Sequence, residues 1–138
     1  MRRLCSATLG LVNPSVRRPA YDHSRLGVGM AHLGLGAFHR CHQAEYTDDA
    51  IEAAGGDWGV VGINLRPPTL DAALGAQDGL YARRLRDDAG VDECRIIGCI
   101  AHVVDAQEDS SKAVTALANP SVKVVTLTIT EKGYCHIP

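Results

Sequence analysis

Gly34-Leu35-Gly36-Ala37-Phe38-His39-Arg40 is the stretch that decides how this chain folds. It follows a short apolar run, Gly29-Met30-Ala31-His32-Leu33-Gly34, whose length and composition predict a buried strand. It opens residues 37–54, which lack Pro and Gly and carry Ala37, Cys41, Ala44, Ile51 and Ala54 at helical steps with one larger gap. That spacing predicts a helix over 37–54 whose inner face is built of small side chains, suited to lying close on a sheet. Gly55-Gly56 marks its end. Residues 58–65 form a second apolar run, closed by Pro67-Pro68. Strand, glycine turn, helix and strand within about 35 residues make a βαβ unit with parallel strands and a right-handed crossover.

A glycine where the chain leaves a strand permits a sharp turn. A second one lets a pyrophosphate approach the backbone N–H groups that open the helix. Gly34 and Gly36 fit these roles, so the candidate cofactor-binding residues here are Gly34, Leu35, Gly36, Ala37, Phe38, His39 and Arg40. His39 stands where a third glycine is usual, so helix and strand should sit slightly further apart. Arg40 would add a cation beside a phosphate. The alternative is a tight turn that holds no ligand. The second strand should end beside the adenosine ribose, where NAD sites place an acid. This chain reads Leu65-Arg66-Pro67-Pro68-Thr69 there, with no acid before Asp71. Leu65 and Arg66 would border the ribose. Arg66 suits a 2′-phosphate or is simply a solvated loop cation, and NAD and NADP both stay open.

Outward from this unit the pattern is coarser. Residues 1–26 contain Pro14 and Pro19 and no sustained period, which predicts an irregular lead-in before a domain over 27–138. A short helix is predicted over 69–76. Residues 80–86 and 94–101 read as a hairpin turned at Asp87-Asp88-Ala89-Gly90. Asp109, Ser110 and Ser111 offer an N-cap for a helix stopped by Asn119-Pro120. The β-branched run 122–129 predicts a central parallel strand. At its carboxyl end Thr130 and Glu131 would face the ligand crevice, with an exposed ion-paired loop as the alternative.

Composition narrows the function. At 138 residues with 46% apolar side chains the chain is long enough for one packed core. Fourteen basic against sixteen acidic residues leave a net charge of −2, which argues against a nucleic-acid partner. No apolar stretch approaches the ~20 residues of a membrane span. The five cysteines are scattered without a C-x-x-C pair, so a reducing compartment, the cytoplasm, is expected. Arg2, Arg3, Arg17 and Arg18 precede the first acid, Asp22, a feature of organelle targeting as well as of a solvated extension. His32, His39, Cys41 and His42 lack the ligand spacing of a structural zinc site, and no metal is expected.

The nonapeptide from His32 to Arg40, followed by His42-Gln43-Ala44, closely resembles the cofactor-binding turn of the mannitol dehydrogenase family, the polyol-specific long-chain dehydrogenases. The resemblance continues through Tyr46-Thr47-Asp48, Trp58-Gly59-Val60-Val61-Gly62, Gln77-Asp78-Gly79-Leu80-Tyr81 and Thr128-Ile129-Thr130-Glu131-Lys132-Gly133-Tyr134-Cys135. It implies an α/β, Rossmann-like parallel sheet with strand order 3-2-1-4 in its cofactor half and an inserted β-hairpin, forming an incomplete domain. It also implies an NAD-dependent oxidoreductase that interconverts a secondary alcohol of a polyol or aldonate with its ketone, without a metal. The family's catalytic lysine lies in a helical C-terminal domain whose motif Lys132 does not match, so no catalytic residue is expected in this chain and the chain alone is expected to be inert. The family's acid after the second strand is replaced by Pro68 or Thr69, which leaves NADP open. A stand-alone nucleotide-binding module or a truncated remnant without function is the competing reading.

Overall fold

The computed structural model describes residues 2–129. Its frame is a four-stranded parallel sheet. The strands are β1 (Val28–Leu33), β2 (Gly59–Asn64), β5 (Ile100–Asp105) and β6 (Val124–Leu127), ordered β5-β2-β1-β6. Taking the parallel strands alone, this is the predicted order 3-2-1-4. β2 lies between β1 and β5 and is buried along its whole length, as an apolar run in a covered parallel sheet must be. A two-stranded antiparallel sheet, β3 (Tyr81–Arg86) with β4 (Asp92–Ile97), stands apart from it. The Asp87 carboxylate accepts from the Val91 amide at 2.8 Å and closes the hairpin turn.

Four expectations need correction. The helix over 37–54 is two helices, α1 (Ala37–Cys41) and α2 (Gln43–Ala54), broken at His42, whose backbone (φ −125°, ψ −85°) is not helical. Its inner face is also different. Ala44 and Ile51 are buried, but Ala37, Cys41 and Ala54 are exposed, and His39 and Asp48 take their place inside. A buried Asp is stable there because the hairpin delivers Arg95, whose Nη2 lies 2.7 Å from Asp48 Oδ2. Apolar periodicity does not register a face completed by a distant cation.

Second, residues 69–76 form turns that run into a 3-10 turn at Gly75–Gln77, not a helix. Third, the predicted strand 94–101 is two strands. The chain leaves the hairpin at Gly98-Cys99 and enters the main sheet as β5, which continues to Asp105. Uninterrupted apolar character across Ile96–Ile100 hid the corner. Fourth, β6 is shorter than the predicted strand over 122–129, and it lies at the end of the described sheet, where the order 3-2-1-4 puts it, with Val124, Val125 and Leu127 exposed. The helix after β5, α3 (Ser110–Leu117), is capped by Asp109, which accepts from the Ser111 amide at 3.0 Å.

Two apolar clusters hold these layers. Leu35, Ala44, Ile51, Val60, Tyr81, Ile97 and Ile100 join the sheet to α2 and the hairpin. Ile63, Ala106 and Ala113 seat α3 on the other face. No described helix is long and apolar enough to cross a membrane.

Candidate cofactor site

The carboxyl ends of β1, β2 and β6 open onto a cavity of about 770 Å³, lined by residues 33–36, Arg40, residues 64–68, Leu70 and residues 127–129. Gly34 turns the chain off β1 with φ +90°, a left-handed conformation that favours glycine. Its amide donates to the Ile63 carbonyl at 2.9 Å, and the Leu35 amide shares that acceptor at 3.3 Å, so the turn is pinned to the end of β2. Gly36 is different. Its backbone (φ −95°, ψ −176°) suits any residue, and a Cβ there would meet only the Gly34 carbonyl oxygen, at 3.7 Å. Nothing in the described chain requires glycine at 36, and the empty space borders the cavity.

Beyond Gly36 the amides of Ala37, Phe38 and His39 have no backbone acceptor among the described residues, while Arg40 N–H makes the first helical bond, to Gly36 O at 3.1 Å. Unmatched N–H groups at a helix start are what an anion would take. A five-residue helix adds little macrodipole, so the attraction is local to these amides. A space without a side chain beside free donors fits the diphosphate of a dinucleotide.

The remaining side chains of the turn divide between cavity, core and surface. Leu35 is buried against Gly62, where any Cβ would collide with the leucine, so only its backbone is offered to the cavity. Phe38 is exposed and meets the His42 ring edge-on at 4.6 Å, outside the cavity lining. Ala37 is exposed and does not line the cavity either. His39 lies beneath the turn, 1% exposed, stacked on His32 with ring centroids 3.7 Å apart. Neither His39 ring nitrogen has a hydrogen-bond partner among the described residues. Burial, with His32 and Arg40 adding to it, pushes its pKa down to about 3, so the ring is neutral. Burial also lowers His32, whose Nδ1 and Nε2 lie 2.8 and 3.2 Å from the Thr126 and Thr128 hydroxyls. An imidazole thus fills the gap that a third glycine would close.

Arg40 and Leu65 line the cavity, as does Arg66, which is exposed and has no carboxylate within ion-pair distance among the described residues. Thr130 and Glu131 lie outside the described residues. Asn64 and Asp105, which sequence reasoning missed, organise the loop that follows β2. Asn64 Nδ2 donates to Pro68 O at 2.8 Å and to Asp105 Oδ1 at 2.7 Å. Asp105 also accepts from the amides of Leu70 (3.1 Å) and Asp71 (2.9 Å) and from Gln107 Nε2 (3.1 Å). These donors hold its carboxyl below the usual carboxylate range against the opposing effect of burial, which is the largest single influence. The signal for each was a polar residue at the carboxyl end of its strand, Asn64 on β2 and Asp105 on β5, the second visible only once β5 is recognised. No group of three or more His, Cys, Asp or Glu side chains among the described residues is placed to hold a metal ion.

Parallel strands in this order, with a glycine turn leaving the first strand beside an open cavity, define an α/β domain of the Rossmann type. The chain belongs to the mannitol dehydrogenase family: residues 28–138 match the family's Rossmann-domain model, described as "Mannitol dehydrogenase Rossmann domain". It is 41% identical over 127 residues to D-mannonate oxidoreductase of Escherichia coli, covering 89% of this chain and 26% of that protein. It is 38% identical over 123 residues to mannitol 2-dehydrogenase of Cereibacter sphaeroides, covering 87% and 26%. Among solved structures, Pseudomonas fluorescens mannitol 2-dehydrogenase in ternary complex with NAD and D-mannitol superposes with a TM-score of 0.87 at 37% identity, covering 97% of this chain and 28% of that one. The chain therefore spans about a quarter of the length of these relatives.

Proposed function

We propose that this chain is the cofactor-binding portion of an oxidoreductase that moves a hydride between a nicotinamide dinucleotide and a secondary alcohol of a sugar alcohol or aldonate. The observation that carries the reading is the open position at Gly36, on a turn pinned to β2 and followed by three amides without a backbone acceptor among the described residues. On this reading Gly34, Gly36 and the amides of Ala37, Phe38 and His39 hold the diphosphate. Arg40 supplies a cation, and Leu65 and Arg66 border the adenosine ribose. Thr130 and Glu131, which lie outside the described residues, would line the crevice toward the nicotinamide. The bound dinucleotide would supply the hydride acceptor. Family membership and the substrates in the relatives' names support the polyol or aldonate class.

Alcohol oxidation also needs a base within hydrogen-bonding reach of the hydroxyl. No carboxylate, histidine or lysine side chain lines the cavity among the described residues, which favours cofactor binding over proton transfer as this chain's part. Calorimetric titration of the purified chain with NADH and with NADPH tests the assignment. Micromolar binding of either supports it, and binding of neither overturns it. Mannitol and mannonate oxidation by the chain alone should be undetectable, and turnover at an enzyme's ordinary rate would contradict the division of labour.

A further inference from the structure

Within the dinucleotide reading, on which this inference rests, we propose that the ribose end of the cavity takes a 2′-phosphorylated dinucleotide, NADP(H), in preference to NAD(H). A cofactor with a free 2′-hydroxyl is selected by an acid at the end of the second parallel strand, which accepts from that hydroxyl and repels a phosphate. Here the strand ends in Asn64, whose amide nitrogen is held by Pro68 O and Asp105 Oδ1. Asp105 is the carboxylate bonded to this loop, and it does not line the cavity. Its two oxygens receive the Leu70 and Asp71 amides and the Asn64 and Gln107 side chains.

The charge that does face the cavity is positive. Among the described residues its lining holds two arginines and no acid. The two serve different ends. Arg40 Nε donates to Gly36 O at 3.3 Å and its guanidinium lies 5.8 Å from the Tyr81 ring centroid, which commits it to the diphosphate side. Arg66, two residues past the end of β2, stands at the ribose side without an ion-pair partner among the described residues. A guanidinium with no carboxylate competitor gives a phosphate dianion a charge-assisted contact and gives a lone hydroxyl no acceptor.

Calorimetry of the 138-residue chain with NADPH and NADH at low salt, alongside Arg66→Ala, provides the test. Circular dichroism melts of both proteins check that the exposed substitution leaves the fold intact. NADPH should bind more tightly than NADH by about tenfold or more, the advantage of one charge-assisted contact. Arg66→Ala should remove most of that advantage while weakening NADH far less, and added salt should narrow the gap in the unsubstituted chain. Equal or tighter binding of NADH overturns the 2′-phosphate preference and leaves dinucleotide binding standing. A preference for NADPH that survives Arg66→Ala overturns the role given to Arg66. Binding of neither overturns both this inference and the function it rests on.

Discussion

The imidazole of His39 lies flat against that of His32, 22° from parallel, and so joins α1 to β1 directly under the glycine turn. Two aromatic rings in contact occupy the place where a helix would otherwise rest on a bare backbone. The stack is stable only while both rings are neutral, since a proton on either would leave a cation with little solvent.

Acid should therefore loosen the domain before its carboxylates titrate. In the unfolded chain His39 has the ordinary histidine pKa near 6.5, and in the folded chain it falls to about 3. Between these values the unfolded state takes a proton that the folded state refuses. Stability is complete above pH 6.5 and declines as pH falls toward 3, with a slope approaching ~1.4 kcal/mol per pH unit for one proton. Urea midpoints at pH 7, 6 and 5 should follow this decline. His39→Leu should flatten it, leaving the smaller part due to His32, and an identical acid slope in the variant would refute the assignment.

The open position at Gly36 makes a separable prediction. Gly36 is the N-cap of α1, and Asp is among the preferred N-caps. Gly36→Asp should keep or slightly raise the unfolding midpoint. Its carboxylate would nevertheless occupy the space beside the free amides and repel a diphosphate. Dinucleotide affinity measured by calorimetry should fall at least a hundredfold, by the cost of an unpaired like charge. Unchanged affinity would place the diphosphate elsewhere.

How much of this was legible in the sequence depended on the range of the forces involved. The turn at Gly34 and Gly36 and the two flanking strands follow from local composition, and the structure reproduces them, while the 3-2-1-4 order, which the structure also shows, came with the family resemblance. The interior of α2 was misread because Asp48 is buried on account of Arg95, forty-seven residues away. The extent of β5 was misread because the apolar run through Gly98-Cys99 conceals a change of sheet. That error also hid Asp105, whose role depends on lying at a parallel strand's carboxyl end. Within the site, backbone roles were readable and side-chain directions were not. Leu35 and His39 turn inward because Gly62 and His32 make room or contact for them, facts of packing across β1 and β2.

Asp105 should act as the clasp of the ribose loop. It accepts from the amides of Leu70 and Asp71, so Asp105→Ala frees two N–H groups and the Asn64 amide together. The expected cost is about 1–3 kcal/mol for the donors left unmatched. Hydrogen exchange read by NMR should accelerate at Leu70 and Asp71 while the β2 amides stay protected. Equal protection at those two amides in both proteins would show that the loop is held by other means.

The buried pair of Asp48 and Arg95 ties α2 to the hairpin, and its energetics can be separated from those of its hydrogen bonds. Asp48 accepts from Tyr21 Oη at 2.5 Å, the Gly98 amide at 2.9 Å and Arg95 Nη2 at 2.7 Å. Burial, and then the bond to Asp48, raise the Tyr21 hydroxyl far above its ordinary range, so it remains a donor. Tyr21→Phe removes one of three donors and should cost about 1 kcal/mol. Asp48→Ala strands the Arg95 guanidinium in the interior and should cost about 3 kcal/mol or more, tempered because Arg95 Nη1 also lies 2.9 Å from Asp49. Replacing both charges with apolar side chains of similar size, Asp48→Leu with Arg95→Met, should recover much of that loss, because desolvation of the two charges no longer opposes folding. Urea unfolding of the four proteins decides the point. A double variant as unstable as Asp48→Ala would mean that the hairpin is held by the charges themselves and not by the packing around them.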